Sequence, residues 1–143
     1  MKKYTSVLDL ISEISQRFRN MQKEIACKLN INISQYKILT ILGLKQQPVS
    51  QSELSEICCI DRPAVSRLVA KMSKDGFLET HLHENNKKTI YVDLAQRGKE
   101  LVQKIKNFSS NIKNKYFKEL DNDNKSLFFN LLTKTLTEEE KDA

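Results

Sequence analysis

Between Val7 and Ile25 the apolar positions Val7, Ile11, Ile14, Phe18, Met21 and Ile25 follow one another at alternating steps of four and three, with Ser, Glu, Arg, Asn and Lys between them. That spacing lays one narrow apolar seam along a long helix, the pattern of a helix that packs lengthwise on a partner helix. The partner can belong to a second copy of the chain or to the chain's own core, and the pattern alone leaves both open. The seam stops at Leu29-Asn30-Ile31-Asn32-Ile33-Ser34, where Ser34 is expected to cap a second helix over about Gln35 to Lys45. Pro48 breaks the chain next. Ser50 and Glu53 form an S-x-x-E capping box opening a short third helix that turns Leu54, Ile57 and Cys58 inward. Asp61 caps a fourth helix, Pro63 is tolerated in its first turn, and the helix runs to about Lys74 before Gly76 ends it.

The period then changes. Phe77 to His83 and Thr89 to Asp93 hold β-compatible residues around the polar run Glu84, Asn85, Asn86, Lys87 and Lys88, which predicts a hairpin with a charged tip. Beyond Gly98 helical spacing returns in Leu101, Ile105, Phe108, Ile112, Tyr116 and Leu120. After a break at Asp121 to Asn124, a last helix presents Leu127, Phe128, Leu131, Leu132, Thr135 and Leu136. No internal repeat or low-complexity linker is present, and the acidic end Glu138, Glu139, Glu140 and Asp142 reads as solvated.

A chain of 143 residues suits one domain, and with 3 Gly and 2 Pro it lacks the turn residues that an all-β sandwich or barrel needs. The expected class is mainly α with a small β-hairpin. The net charge of +6 fits a polyanionic partner without requiring one. Lys2 and Lys3 start the chain as an export signal would, but Asp9 and Glu13 interrupt the apolar run, and no stretch has the length of a membrane span; a cytoplasmic protein without membrane contact is expected. Cys27, Cys58 and Cys59 are odd in number and two are adjacent, so reduced thiols are expected.

Short helices followed by a hairpin are the element order of a winged helix-turn-helix, in which the fourth helix enters the DNA major groove while the third braces it. Val65, Leu68, Val69 and Met72 recur at helical spacing and are expected to bury. Arg62, Pro63, Ser66, Arg67 and Lys71 fall on the other faces. Arg62, Ser66 and Arg67 are the candidates for base or near-base contact, because the guanidinium fork matches guanine O6 and N7. Ser50 and Gln51 at the start of the third helix, Lys71, and Lys87 and Lys88 at the hairpin tip complete the candidate DNA-binding set.

These residues resemble the MarR family of bacterial winged-helix transcriptional regulators over nearly the whole chain. The stretch SQSELSEICCIDRPAVSRLVAKMSKDGFLE is similar to that family's helix-turn-helix, with Asp61, Val65-Ser66-Arg67-Leu68 and Gly76-Phe77-Leu78 falling where its pattern expects them. The wing departs from it. The family's D-x-R signature reads Asn86-Lys87-Lys88, and its L-T-x-x-G reads Leu94-Ala95-Gln96-Arg97-Gly98, so the Asp, the Arg and the Thr are all replaced. The resemblance implies one MarR-type domain over 1–143, with a DNA-binding lobe at 34–98 and dimerisation helices at 1–30 and 99–143. Val7, Ile11, Ile14, Phe18, Leu127 and Leu131 would then line the interface. It further implies a homodimeric repressor on a pseudo-palindromic operator, released by a small effector or an oxidant.

Some relatives sense oxidants through a reactive cysteine in the first helix, and Cys27 lies late in that helix beside Lys28 and near Lys23, which favour thiolate. His81 and His83 share a strand face with Glu84 following, but no third ligand at chelating distance is visible, so no metal is expected. Tyr36 is a candidate lining residue for an effector cleft, and nothing polar names the effector. No Gly-rich phosphate loop, catalytic triad or paired acid cluster argues for an enzyme. The competing reading is a winged helix that contacts protein instead of DNA, as an antirepressor would; the exposed Arg62, Arg67 and Lys71 face suits phosphate and base edges better.

Overall fold

A computed structural model describes residues 5–142, with side chains through 137. Lys2, Lys3 and the side chains of the acidic end Glu138, Glu139, Glu140 and Asp142 lie outside the described residues. The elements are α1 (Val7–Lys28), α2 (Ile33–Lys45), β1 (Val49–Ser50), α3 (Gln51–Cys58), α4 (Arg62–Lys74), β2 (Leu78–Leu82), β3 (Ile90–Leu94), α5 (Gln96–Tyr116) and α6 (Asn122–Asp142). The fold is mainly α with a small antiparallel sheet, a winged helix-turn-helix.

The starts of α1, α2, α3, α4 and α6 are each set by a short polar side chain that satisfies an otherwise unpaired N–H. Ser6 accepts from the Asp9 amide at 3.1 Å, and the Asp9 carboxylate accepts from the Thr5 hydroxyl at 2.7 Å. Those hydroxyl hydrogen bonds, Thr5 first, hold the Asp9 carboxyl below its ordinary value. At α2 the cap is Asn32, not Ser34. Asn32 Oδ1 accepts from the Gln35 amide at 2.8 Å, and Gln35 Oε1 accepts from the Asn32 amide at 2.9 Å, a complete reciprocal box that starts the helix at Ile33. At α3 Ser50 accepts from the Glu53 amide at 3.1 Å, while the Glu53 carboxylate lies 3.3 Å from Lys45 Nζ and ties α3 to α2.

The chain forms two compact units, Met1–Ile105 and Lys106–Ala143. In the first, α1 packs on α2, α2 on α3 and β3, α3 on α4 and both β1 and β3, and α4 on β2. Ile25, Ile38, Leu39, Leu42, Val49, Leu54, Val65, Val69, Met72 and Val92 are wholly buried and draw from every one of these elements except β2. Burying each such side chain contributes about 1.5–3 kcal/mol. Gly43 on α2 faces Val102 on α5 so closely that an added Cβ would sit 2.6 Å from Val102 Cγ1.

The sheet has the order β1-β3-β2, both pairs antiparallel, with Val49 opposite Val92 and Leu78 opposite Leu94. The hairpin is thus joined by a third strand, β1, that two residues are too short to announce by alternation. In α3, Leu54 and Cys58 bury one turn apart, whereas Ile57 is 40% exposed, contrary to the inward position expected for it. In the second unit, the Phe117 and Phe128 rings lie 6.2 Å apart and Asp121 Oδ1 caps α6 by accepting from the Asn124 amide at 2.7 Å. Among the described residues no helix is long and apolar enough to cross a membrane.

Candidate nucleic-acid interface

The site begins at the turn between α3 and α4. Cys59 takes a left-handed conformation at φ 53°, its amide donating to the Glu56 carbonyl at 3.3 Å, and the Ile60 amide donates to the Ser55 carbonyl at 3.1 Å. Ser55 Oγ donates back to the Ile60 carbonyl at 2.5 Å, so the reversal is closed by hydrogen bonds on both sides. Asp61 Oδ1 then accepts from the Ala64 amide at 2.9 Å and Pro63 occupies the first turn, where no N–H is needed.

From that fixed start α4 divides cleanly. Val65, Val69 and Met72 are buried, and Leu68 is half-buried on the shoulder, a partial correction of its expected burial. Arg62, Pro63, Ser66, Arg67 and Lys71 are all exposed on the outer face. Lys74 extends that face by one more turn; its spacing from Arg67 and Lys71 was the available signal for it. Among the described residues none of these cations makes an ion pair, so their charge is directed outward. The half-buried Ser50 and Gln51 lie at the start of α3, with Ser50 engaged as its cap and paired with Tyr91 across β1 and β3.

The wing is shaped by its backbone. The His83 amide donates to the Thr89 carbonyl at 3.1 Å, Thr89 to the Asn86 carbonyl at 3.0 Å, and the Lys88 amide to Asn86 Oδ1 at 3.1 Å. The side chain of Asn86 therefore organises the tip locally, where an Asp and an Arg stand in the family pattern. Lys87 and Lys88 are exposed at that tip. His83 packs its ring 5.6 Å from Tyr91 and accepts from the Asn85 amide at 3.1 Å, while His81 is exposed. Among the described residues no three His, Cys, Asp or Glu side chains gather to hold a metal ion.

The remaining candidates lie elsewhere. Cys27 is exposed, and Lys28 Nζ lies 3.1 Å from Glu24, which competes for its charge. Cys58 is buried, and that burial raises its thiol above the ordinary value despite the opposing charge of Lys37; Cys59 is exposed. Tyr36 is buried in the core of the first unit, so it is not open to solvent as a cleft residue would be. On α1, Val7, Ile14 and Phe18 are 70%, 53% and 56% exposed and Ile11 is exposed with them, while Met21 and Ile25 bury. Leu127 and Leu131 are exposed on α6.

A three-helix lobe with a protruding, outwardly basic fourth helix and a lysine-tipped hairpin defines the class of winged helix-turn-helix proteins. Residues 31–90 match the MarR family. Among curated relatives, the HTH-type transcriptional regulator PapX of Escherichia coli is 24% identical over 115 residues, 80% of this chain and 68% of PapX. Among solved structures, apo MarR from E. coli superposes with a TM-score of 0.75 at 20% identity, covering 94% of this chain and 99% of that one. A MarR mutant from E. coli complexed with operator DNA superposes at 0.70 and 23% identity, covering 89% and 91%.

Proposed function

We propose that this protein is a homodimeric, sequence-specific DNA-binding transcription regulator of the bacterial cytoplasm, acting as a repressor by occluding promoter DNA. The observation that carries the reading is the outer face of α4, where Arg62, Ser66, Arg67 and Lys71 project from a helix whose opposite face is fully buried. A helix held that way can lie in the major groove, with its N-terminal side chains at base edges and its first N–H groups toward phosphate. Gln51, Lys87 and Lys88 fit phosphate contact, which tolerates many geometries. The MarR structure with operator DNA supports the same use of this fold.

The second copy is the partner that the exposed α1 residues Val7, Ile11, Ile14 and Phe18 and the α6 residues Leu127 and Leu131 fit. A two-fold pair would set its α4 helices about 34–36 Å apart, one turn of B-DNA, and so read a pseudo-palindrome. Release would come from a small effector or from an oxidant acting at an exposed thiol such as Cys27. Selection of duplexes from a random pool tests the reading. The wild-type chain should enrich an inverted repeat, and Arg62→Ala or Arg67→Ala should each weaken its binding about 5- to 150-fold, the range for losing one bidentate base contact. Enrichment of no sequence would reject DNA recognition and favour a protein-contact role.

A further inference from the structure

Arg97 stands at the start of α5, at a position that the L-T-x-x-G pattern leaves open. Its guanidinium donates to the Asp75 carbonyl, the residue that ends α4, and its Cζ stands 4.6 Å over the centroid of the Phe77 ring. Phe77 is the joint of the whole DNA-facing surface, since α4 ends just before it and the wing strand β2 begins at the next residue. Three other contacts converge there. The Phe77 amide donates to the Met72 carbonyl at 2.9 Å, its carbonyl accepts from the Ala95 amide at 3.0 Å, and Gly98 approaches that same carbonyl so closely that an added Cβ would lie 2.1 Å away. Gly76, at φ 81°, leaves room for the Arg97 stem, whose Cδ is 3.4 Å from where a Cβ would be.

We propose that Arg97 is a positioning residue for DNA recognition: it clamps the C-terminal end of α4 and the root of the wing to α5 without touching DNA itself. The proposal rests on the DNA-binding reading above. A guanidinium suits the post because it satisfies a terminal carbonyl at the negative end of the helix while its plane stacks on an aromatic face. Leverage makes the site matter. A helix of 13 residues is about 20 Å long, so a pivot of about 5° at its C-terminal end displaces the N-terminal contact residues by about 1.7 Å. Displacements beyond about 0.5 Å already spoil a directional contact set.

The test uses the full chain, the duplex that the wild type enriches from a random pool, and a random-sequence duplex. Arg97→Ala and Arg97→Lys should both weaken binding to the enriched duplex about tenfold, the low end for losing one aligned base contact, while leaving random-sequence affinity and the salt slope unchanged. In the free protein, hydrogen exchange of the Phe77 and Ala95 amides should quicken in Arg97→Ala while that of the buried Leu39 stays as in wild type. A salt slope lowered by about 0.9 per chain in Arg97→Ala and restored by Lys would make Arg97 a phosphate contact and overturn the proposal. Wild-type affinity in both variants would overturn it too. A wild-type chain that enriches no duplex would remove the DNA-binding reading and the clamp with it, whereas an enriching wild type with indifferent variants would remove the clamp alone.

Discussion

Replacing Lys87 and Lys88 together by Ala isolates the electrostatic share of the wing. The tip keeps its shape in the variant because its bends are held by His83, Asn86 and Thr89, none of which depends on either lysine side chain. Both ammonium groups are exposed, and among the described residues neither makes an ion pair, so each is available to displace a counterion from a phosphate. Each phosphate contact steepens the slope of log K against log salt by about 0.9, so two lysines carry about 1.8 per chain and about 3.6 in a dimer with both wings engaged. Over a fourfold rise in salt, from about 50 to about 200 mM, the wild type's advantage over the double variant should shrink about 12-fold for one wing and about 145-fold for two. Fluorescence anisotropy on the enriched duplex across that range measures both slopes. Parallel lines for wild type and variant would show that the wing stands clear of DNA, and a difference near 1.8 instead of 3.6 would assign one engaged wing per duplex.

Four further outcomes follow from the packing. Gly98→Ala should destabilise by about 3 kcal/mol or more, beyond ordinary overpacking, because the new Cβ meets the Phe77 backbone carbonyl at 2.1 Å and not a side chain that can turn away; an unchanged urea midpoint would contradict that contact. A disulfide reagent should titrate Cys27 and Cys59 quickly in the native protein and Cys58 only on unfolding. Since burial raises the Cys58 thiol, the stability it contributes is full below the ordinary value of 9.0 and is lost as pH rises through the raised folded value, so unfolding free energy should fall more steeply above about pH 9 in wild type than in Cys58→Ala. Ile14→Asp with Phe18→Asp places two charges on half-exposed positions of α1. Sedimentation should then give a monomer with undiminished helical circular dichroism, and a stable dimer would take α1 out of the interface.

The parts of the fold that were legible are those where one face of an element repeats against one environment. In α4 the spacing separates the exposed Arg62, Ser66, Arg67 and Lys71 from the buried Val65, Val69 and Met72, while Leu68, expected inside with them, stays half-buried on the shoulder. Start sites were harder where two capping residues compete. Asn32 wins over Ser34 because Gln35 stands three residues after it and returns the hydrogen bond, while Lys37 stands three after Ser34 and cannot accept one. Ile57 shows the limit of short periodicity: in an eight-residue helix one stripe can bury Leu54 and Cys58, and a neighbour on the shoulder stays out. β1 and the Arg97 clamp were illegible because each exists only through a partner distant in sequence, Val92 and Tyr91 for the strand, Asp75 and Phe77 for the arginine. Along the α1 seam Met21 and Ile25 bury within the chain while Val7, Ile11, Ile14 and Phe18 stay exposed, a division that the regular four-three spacing does not mark.

On the DNA-binding reading proposed above, the altered wing signature shifts where sequence discrimination has to reside. An Asp and Arg in the family pattern can pair, stiffening the hairpin and offering a planar, weakly hydrated group to a narrow minor groove. Here stiffness comes from Asn86, whose side chain and backbone both accept hydrogen bonds within the tip, and no acidic partner is required. Lys87 and Lys88 consequently keep their full charge for solvent or phosphate, but a hydrated ammonium on a flexible stem discriminates poorly between groove widths. If this wing meets DNA, it adds affinity that is nearly blind to sequence, and the choice of site falls to the few side chains at the N-terminal half of α4. Those side chains are useful only when α4 is held at one angle, and the residues that fix that angle are packed at its other end, around Phe77.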